Sequence, residues 1–352
     1  MSTHWSLHAI LIRIIIGLSI ADQQGAYIST KRLSSNACSG QHCEEPAAAP
    51  DDEVNLMQVY HRATHRNAHS GKDGAHEGQA SNTSALRSRY IEEAEEVAMI
   101  RIAKANYQSD DDHAKELLEP YGWSRISQFA NLGVTKDLVG IYRHMTDNTC
   151  VVSFTICRGC IALEDDNGPQ SYCGLDSQFF GGIVTHLQSM RENATFTQIE
   201  KYLNSTSCSS IYSIGHSAGS MMAEIFATCV NNDPTFYQMY KIPVIEKLYT
   251  FGAPAPSKVP LANQSTCLAG KRFYCDGDAF CGTMYNKGYR HPQLEAIRLT
   301  MDNSTGEATY SALPRACDST AATEEPGYTG MIMNENNHSA EEYLIRLQAL
   351  YR

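Results

Sequence analysis

The apolar stretch Ile211-Tyr-Ser-Ile214 is strand-like, and it stops abruptly in Gly215-His216-Ser217-Ala218-Gly219. Ser-Met-Met-Ala-Glu-Ile-Phe-Ala-Thr follows at once, small and apolar on the side that must lie on a sheet, and predicts a helix over 218–229. Further on, Lys271-Arg-Phe-Tyr-Cys-Asp-Gly-Asp-Ala-Phe280 reads as a short strand running into a turn. A polar loop, Glu335-Asn-Asn-His338, enters a last helix. Residues 22–84 have a different texture. They hold Ala-Ala-Ala-Pro, Ser/Asn/Gly stretches and few aromatic or β-branched residues to bury, so they read as a disordered linker or pro-segment.

The order strand, G-x-S-x-G, helix carries chemistry. A serine in so sharp a turn stands clear of the sheet, and glycines sit where side chains would clash with the neighbouring strand and helix. The new helix aims backbone N–H groups and the positive end of its dipole at the serine, which suits an oxyanion. Ser217 is the candidate nucleophile and the Ala218 N–H a candidate oxyanion donor. A lone serine needs a base, and the base needs an orienting acid. Two histidines follow Ser217. His338, in a loop just before a helix, is placed to reach over the sheet edge, whereas His291 precedes Pro292 and reads as a solvated turn residue. Of the carboxylates between them, Asp276 and Asp278 share one turn, where one caps the turn and the other faces the imidazole. Asp302, before Asn303-Ser-Thr, reads as surface.

Over about residues 85 to 350 the chain resembles the fungal-type (class 3) lipases of the α/β-hydrolase fold. The resemblance rests on segments in the right order: Glu92 to Tyr107 for an N-terminal helix, then Leu138-Val-Gly-Ile-Tyr142 and Asp147 to Phe154 for a first hairpin. Phe179-Phe-Gly-Gly-Ile-Val-Thr-His-Leu187 follows, then the serine turn, then Leu248-Tyr-Thr-Phe-Gly-Ala-Pro254. The last is the most specific, because fold class alone does not demand its Gly-x-Pro turn. The resemblance implies a central, mostly parallel sheet with helices on both faces and a triad of Ser217, Asp278 and His338. Asp278 matches because two apolar residues follow it, and His338 because Glu342-Tyr343 follow it. Where that family has Phe-Arg-Gly-Ser/Thr, this chain has Phe154-Thr-Ile-Cys-Arg-Gly-Cys160. Either Cys157 takes the Ser/Thr place or Arg158-Gly159-Cys160 is the match. The other oxyanion donor is therefore sought among the backbone N–H groups of Ile156 and Cys157 and the Thr155 hydroxyl. The segment 157–173 lies where the family's lid lies; here it is polar and bounded by cysteines.

With 352 residues the chain is long enough for one large domain or two modest ones. A net charge of −11 argues against nucleic acid as a partner. The start of the chain, with positive charge and no acid up to Arg13 and then Ile14-Ile-Ile-Gly-Leu-Ser-Ile-Ala21, has the texture of a secretory signal ending at residue 21. All twelve cysteines lie beyond it, and an even number in an oxidising compartment would pair. Cys275 and Cys281 bracket the acid turn and are placed to close a small loop. Glycosylation sequons stand at Asn82, Asn193, Asn204, Asn263 and Asn303, and one at Asn337 overlaps the proposed base, so it is expected to stay unused. His61, His65 and His69 share a helical spacing but lack nearby acids for a metal site.

The expectation is a secreted α/β-hydrolase that cleaves carboxylic esters, foremost acylglycerols, with no cofactor and no metal. Its partner is a lipid or other ester substrate at a lipid–water interface, with no obligate protein partner visible. Phospholipase A1 and feruloyl-type esterase are the alternatives within that chemistry. A catalytically inactive secreted binding protein is the alternative outside it.

Overall fold

The computed structural model describes residues 90–130, 137–156, 168–258, 268–278, 280–284, 287–291, 294–302, 304–313 and 335–352. The signal-like segment, the 22–84 stretch with its histidines, Cys157, Cys160, Asn82, Asn263 and Asn303 lie outside the described residues.

Among the described residues eight strands form one sheet: β1 (Trp123–Ala130), β2 (Leu138–His144), β3 (Thr149–Thr155), β6 (Ser210–His216), β7 (Lys247–Phe251), β8 (Ala269–Cys275), β9 (Glu295–Met301) and β10 (Ala308–Leu313), neighbouring one another in that order. The pairs from β3 through β9 are parallel, while β1–β2, β2–β3 and β9–β10 are antiparallel. A separate ribbon pairs β4 (Pro169–Tyr172) with β5 (Leu175–Phe180).

The parallel strands are buried on both faces because helices cover both. Along β3, Cys150, Val152 and Phe154 point into one core and Val151 into the other. Along β7, Leu248 and Phe251 divide in the same way. The first core is closed by α3 (Gly181–Glu192), α4 (Thr195–Thr206), α5 (Ala218–Asn232) and α6 (Pro234–Tyr240). The second is closed by α1 (Glu95–Ala105), α2 (Asp111–Leu118) and α8 (Ala340–Leu350), while α7 (Phe280–Thr283) is a single turn after β8. The helix expected over 218–229 is α5 and continues to Asn232, since Asp233 leaves helical backbone and its side chain instead caps α6 by accepting from Thr235 N. Ser213 lets α5 settle close on β6, and its hydroxyl donates to Ala223 O.

Polar contacts fix α1 at the sheet's other end. Glu95 pairs with Lys247 at 2.7 Å and Glu96 with Lys271 at 2.6 Å, so this helix is tied to β7 and β8. Buried Arg101 is neutralised by Glu93 at 2.8 Å and lies over the Tyr121 ring.

Among the described residues, two disulfides brace the first core. Cys150–Cys208 joins β3 to the end of α4, and Cys173–Cys229 joins the β4–β5 ribbon to α5. Cys275 and Cys281 depart from the sequence expectation: both are buried free thiols, and they do not close the acid turn. The Tyr343 hydroxyl accepts from the Cys275 N–H at 3.0 Å and lies 3.8 Å from the Cys281 sulfur, so that space belongs to Tyr343.

The 58-residue separation of Cys150 and Cys208 sets one expectation. On the chain-entropy account a cross-link over that span stabilises by about 4 kcal/mol, and less if the reduced chain keeps structure. Replacing both by Ala should lower the urea midpoint with little change in slope. An unchanged midpoint would show that packing of β3 against α4 makes the link redundant.

Candidate active site

Ser217 stands between β6 and α5 with φ 57° and ψ −134°, a backbone state few L residues adopt. The turn is held by Ser217 N–H donating to Phe251 O at 2.8 Å and Ser220 N–H donating to Ser217 O at 2.9 Å. Buried Ser220 adds a hydroxyl bond to Gly215 O at 2.6 Å. The flanking glycines are steric necessities. A Cβ on Gly215 would stand 2.4 Å from the Gly219 backbone, and one on Gly219 would stand 2.2 Å from Phe154 O.

The structure brings Asp278 and His338 to Ser217. His338 arrives on a single 3-10 turn, Glu335–His338, ahead of α8, and its Nε2 lies 2.6 Å from Ser217 Oγ. Its Nδ1 faces both oxygens of Asp278, at 3.0 and 2.9 Å. With Nδ1–H donating to the carboxylate, Nε2 is left to accept the serine proton. Asp278 lies just past β8, is fully buried, and accepts further bonds from Tyr343 OH at 2.7 Å and Phe280 N–H at 3.0 Å. Burial alone pushes its carboxyl up. The bond and charge of His338, the Tyr343 hydroxyl and the Phe280 N–H outweigh it and hold the carboxyl below the usual carboxylate range. Burial and the nearby Asp278 charge drive the Tyr343 phenol well above its ordinary value, so it stays a donor.

The competing residues sit elsewhere. His291 is buried rather than solvated, with Nδ1 3.6 Å from Glu224 of α5. Burial, reinforced by the charge of Arg272, pushes its imidazole well below the ordinary value. Asp276 pairs with Arg298 at 2.6 Å, and Asp302 is exposed and accepts from Ser304 N–H and Oγ–H. Asn337 donates to Asp276 O at 2.8 Å and accepts from Arg346 at 3.1 Å, so this sequon's amide is engaged in the fold.

At the oxyanion side, Ala218 opens α5, where first-turn N–H groups lack intrahelical acceptors. The end of β3 abuts this turn, since the Cβ position on Gly219 is 3.1 Å from Thr155 Cα. Thr155 is buried and its hydroxyl accepts from Asn106 Nδ2 at 2.8 Å, which ties its oxygen to the end of α1. Ile156 is buried beyond it, and Cys157 lies outside the described residues.

Two contributors were hidden from sequence reasoning. Gly252, the glycine of Phe-Gly-x-Pro, has φ +62°, and a Cβ there would stand 3.0 Å from Asp278 Oδ2 and 3.1 Å from His338 Nδ1. The motif was visible; its contact with the acid–base pair was not. His216 donates through Nε2 to the His338 carbonyl at 2.6 Å, and Tyr107 OH meets its Nδ1 at 2.8 Å.

No protein-family model matches the sequence, and no curated sequence does either. Solved structures do match in shape. One is a fungal lipase–inhibitor complex described as a model for interfacial activation, at TM-score 0.53 and 15% identity, covering 78% of this chain and 98% of that one. Another is a fungal lipase at 0.51 and 16%, covering 77% and 99%. A third is a mutant form of MDLA from Penicillium cyclopium at 0.50 and 16%, covering 74% and 96%. The chain has the fungal-lipase fold. That fold is the α/β-hydrolase fold of the sequence expectation, and at such identities the likeness establishes architecture alone.

Gly252→Ala tests the packing beneath the dyad. Its Cβ must displace Asp278 or His338, in a backbone state strained for alanine, at a cost of roughly 1–3 kcal/mol. The variant should lose ester hydrolysis by more than about tenfold, as expected of a sub-ångström shift in catalytic geometry. Wild-type turnover with p-nitrophenyl acetate would mean the glycine serves the turn only.

Proposed function

We propose that the protein is a serine hydrolase of carboxylic esters, foremost acylglycerols. The observation that carries the reading is the unbroken chain Ser217 Oγ–His338 Nε2, His338 Nδ1–Asp278, within hydrogen-bonding distance at each link. In this reading Ser217 attacks the acyl carbonyl while His338 Nε2 takes its proton, and His338 then returns the proton to the leaving alcohol. Asp278 holds the tautomer and stabilises the imidazolium. The Ala218 N–H and the backbone N–H of Ile156, just past β3, receive the oxyanion, and the Thr155 hydroxyl, which accepts from Asn106, keeps its proton to donate as well. Water, activated by the same histidine, releases the acid.

Acylglycerols as substrates rest on the family likeness of the sequence motifs and on the lipases that share this fold. A lipid–water interface would be the place of action. Secretion rests on the signal-like start and on disulfides that each join a buried cysteine to a half-buried one and persist in oxidising compartments. Among the described residues no helix is long and apolar enough to cross a membrane.

A panel of short p-nitrophenyl esters, tri- and monoacylglycerols, phospholipids and feruloyl esters tests the reading, with Ser217→Ala beside wild type. Wild type should turn over glycerides and short esters. Ser217→Ala should fall to the residual roughly 10³–10⁴-fold above water that binding and oxyanion stabilisation leave without the triad. Equal activity in both proteins would overturn the nucleophile assignment. Turnover confined to phospholipids or feruloyl esters would move the substrate class.

A further inference from the structure

His216 lies beside the nucleophile in sequence, and its ring is almost wholly buried. It shares no atom with the triad, yet it touches the base. Its Nε2 lies 2.6 Å from the His338 backbone carbonyl, an acceptor only, so Nε2 must carry the proton. That assignment leaves Nδ1 with a lone pair, and Tyr107 OH donates to it at 2.8 Å. The rings pack as well. His216 lies 5.1 Å from the His338 ring, and Tyr343 meets it edge-on at 5.9 Å. Three elements thus meet at one imidazole: the residue just past α1, the serine turn and the 3-10 turn that presents the base.

We propose that His216, oriented by Tyr107, is a positioning residue that holds the backbone of His338 in register with Ser217. The proposal rests on the hydrolase reading above for its consequence, though not for its geometry. His338 reaches the site on one short turn, so its ring is only as well placed as its backbone. Asp278 fixes the ring at Nδ1, and His216 fixes the carbonyl on the other side of the same residue. Because His216 is covalently adjacent to Ser217, nucleophile and base are tied by a path that avoids the reacting atoms. The clamp works with a neutral ring. Burial, aided by the charge His338 bears when protonated, pushes the His216 imidazole down to about 3. No second positive charge therefore competes with the imidazolium that forms when Ser217 gives up its proton.

Three variants separate positioning from packing. His216→Leu removes the donor, His216→Gln keeps an amide N–H near the Nε2 position, and Tyr107→Phe removes one hydroxyl while keeping the ring. The measurements are kcat and KM on a p-nitrophenyl ester, the rate of fluorophosphonate labelling, melting temperature, and ¹⁵N spectra of histidine-labelled protein. His216→Leu should lose kcat and labelling rate by roughly 10–100-fold at unchanged KM, the scale of a displaced catalytic group. His216→Gln should regain most of both, and Tyr107→Phe should shift the His216 Nδ1 resonance with a smaller loss of kcat. Equal rates in the Leu and Gln variants, or a His216 protonated on Nδ1, would overturn the clamp. If His216→Leu fails to fold, Tyr107→Phe decides: unchanged Nδ1 and kcat overturn it. Should wild type neither hydrolyse nor label, the hydrolase reading fails. The spectra then judge the clamp alone, Nε2–H with a Tyr107-sensitive Nδ1 supporting it and Nδ1–H overturning it.

Discussion

Ser217 occupies a backbone conformation that costs an L residue about 1–3 kcal/mol, and much of the surrounding structure exists to hold it there. The strain is sustained because three segments converge on the turn. Phe251 O takes the serine N–H, Ser220 ties the first turn of α5 back to Gly215 O, and β3 presses against Gly219. Only glycine fits at 215 and 219, because the approaching atoms are backbone and cannot move aside. The gain is geometric. A serine lifted out of the strand direction faces solvent on one side and the start of a helix on the other, where N–H groups and the dipole favour developing negative charge.

The partners of the serine come from distant stretches of chain, brought together by the parallel sheet. Asp278 follows β8, two strands away from β6, and His338 precedes the last helix. Gly252, at the end of the strand between them, leaves just enough room for the carboxylate–imidazole contact. The surrounding groups favour a charged acid: Tyr343 and the Phe280 N–H both donate to the Asp278 carboxylate. Cys275 and Cys281 are buried thiols in the same shell, and the Tyr343 hydroxyl meets the Cys275 N–H and the Cys281 sulfur as it reaches the acid.

Much of this was legible because it is local. The strand–turn–helix around Ser217 declares itself in apolar spacing and two glycines, and the hairpin of β2 and β3 and the strand β7 follow from short motifs. The pairing of the acid and base was legible only through resemblance, since spacing alone left Asp276, Asp278, His291 and His338 open. His291 misled because a histidine before proline looks like a solvated turn. Its burial against Glu224 depends on how α5 lies over β6, β3 and β7, which no local pattern encodes. Likewise the contact of Thr155 with Asn106, at the end of a helix some fifty residues earlier, is not encoded locally; the Thr155 oxygen accepts there, which leaves its O–H proton able to donate elsewhere. Strands β9 and β10 carry few signals of their own, and their place is fixed by pairing with β8.

If the reading is right, the hydroxyl beside His338 is far more nucleophilic than any other serine in the chain. Treatment of the folded protein with a fluorophosphonate, followed by intact-mass measurement and peptide mapping, tests this directly. The account predicts a single adduct on Ser217, formed quickly in the native protein and absent after unfolding. No adduct, or one spread over several serines, would contradict it and leave a fold that holds a triad without using it.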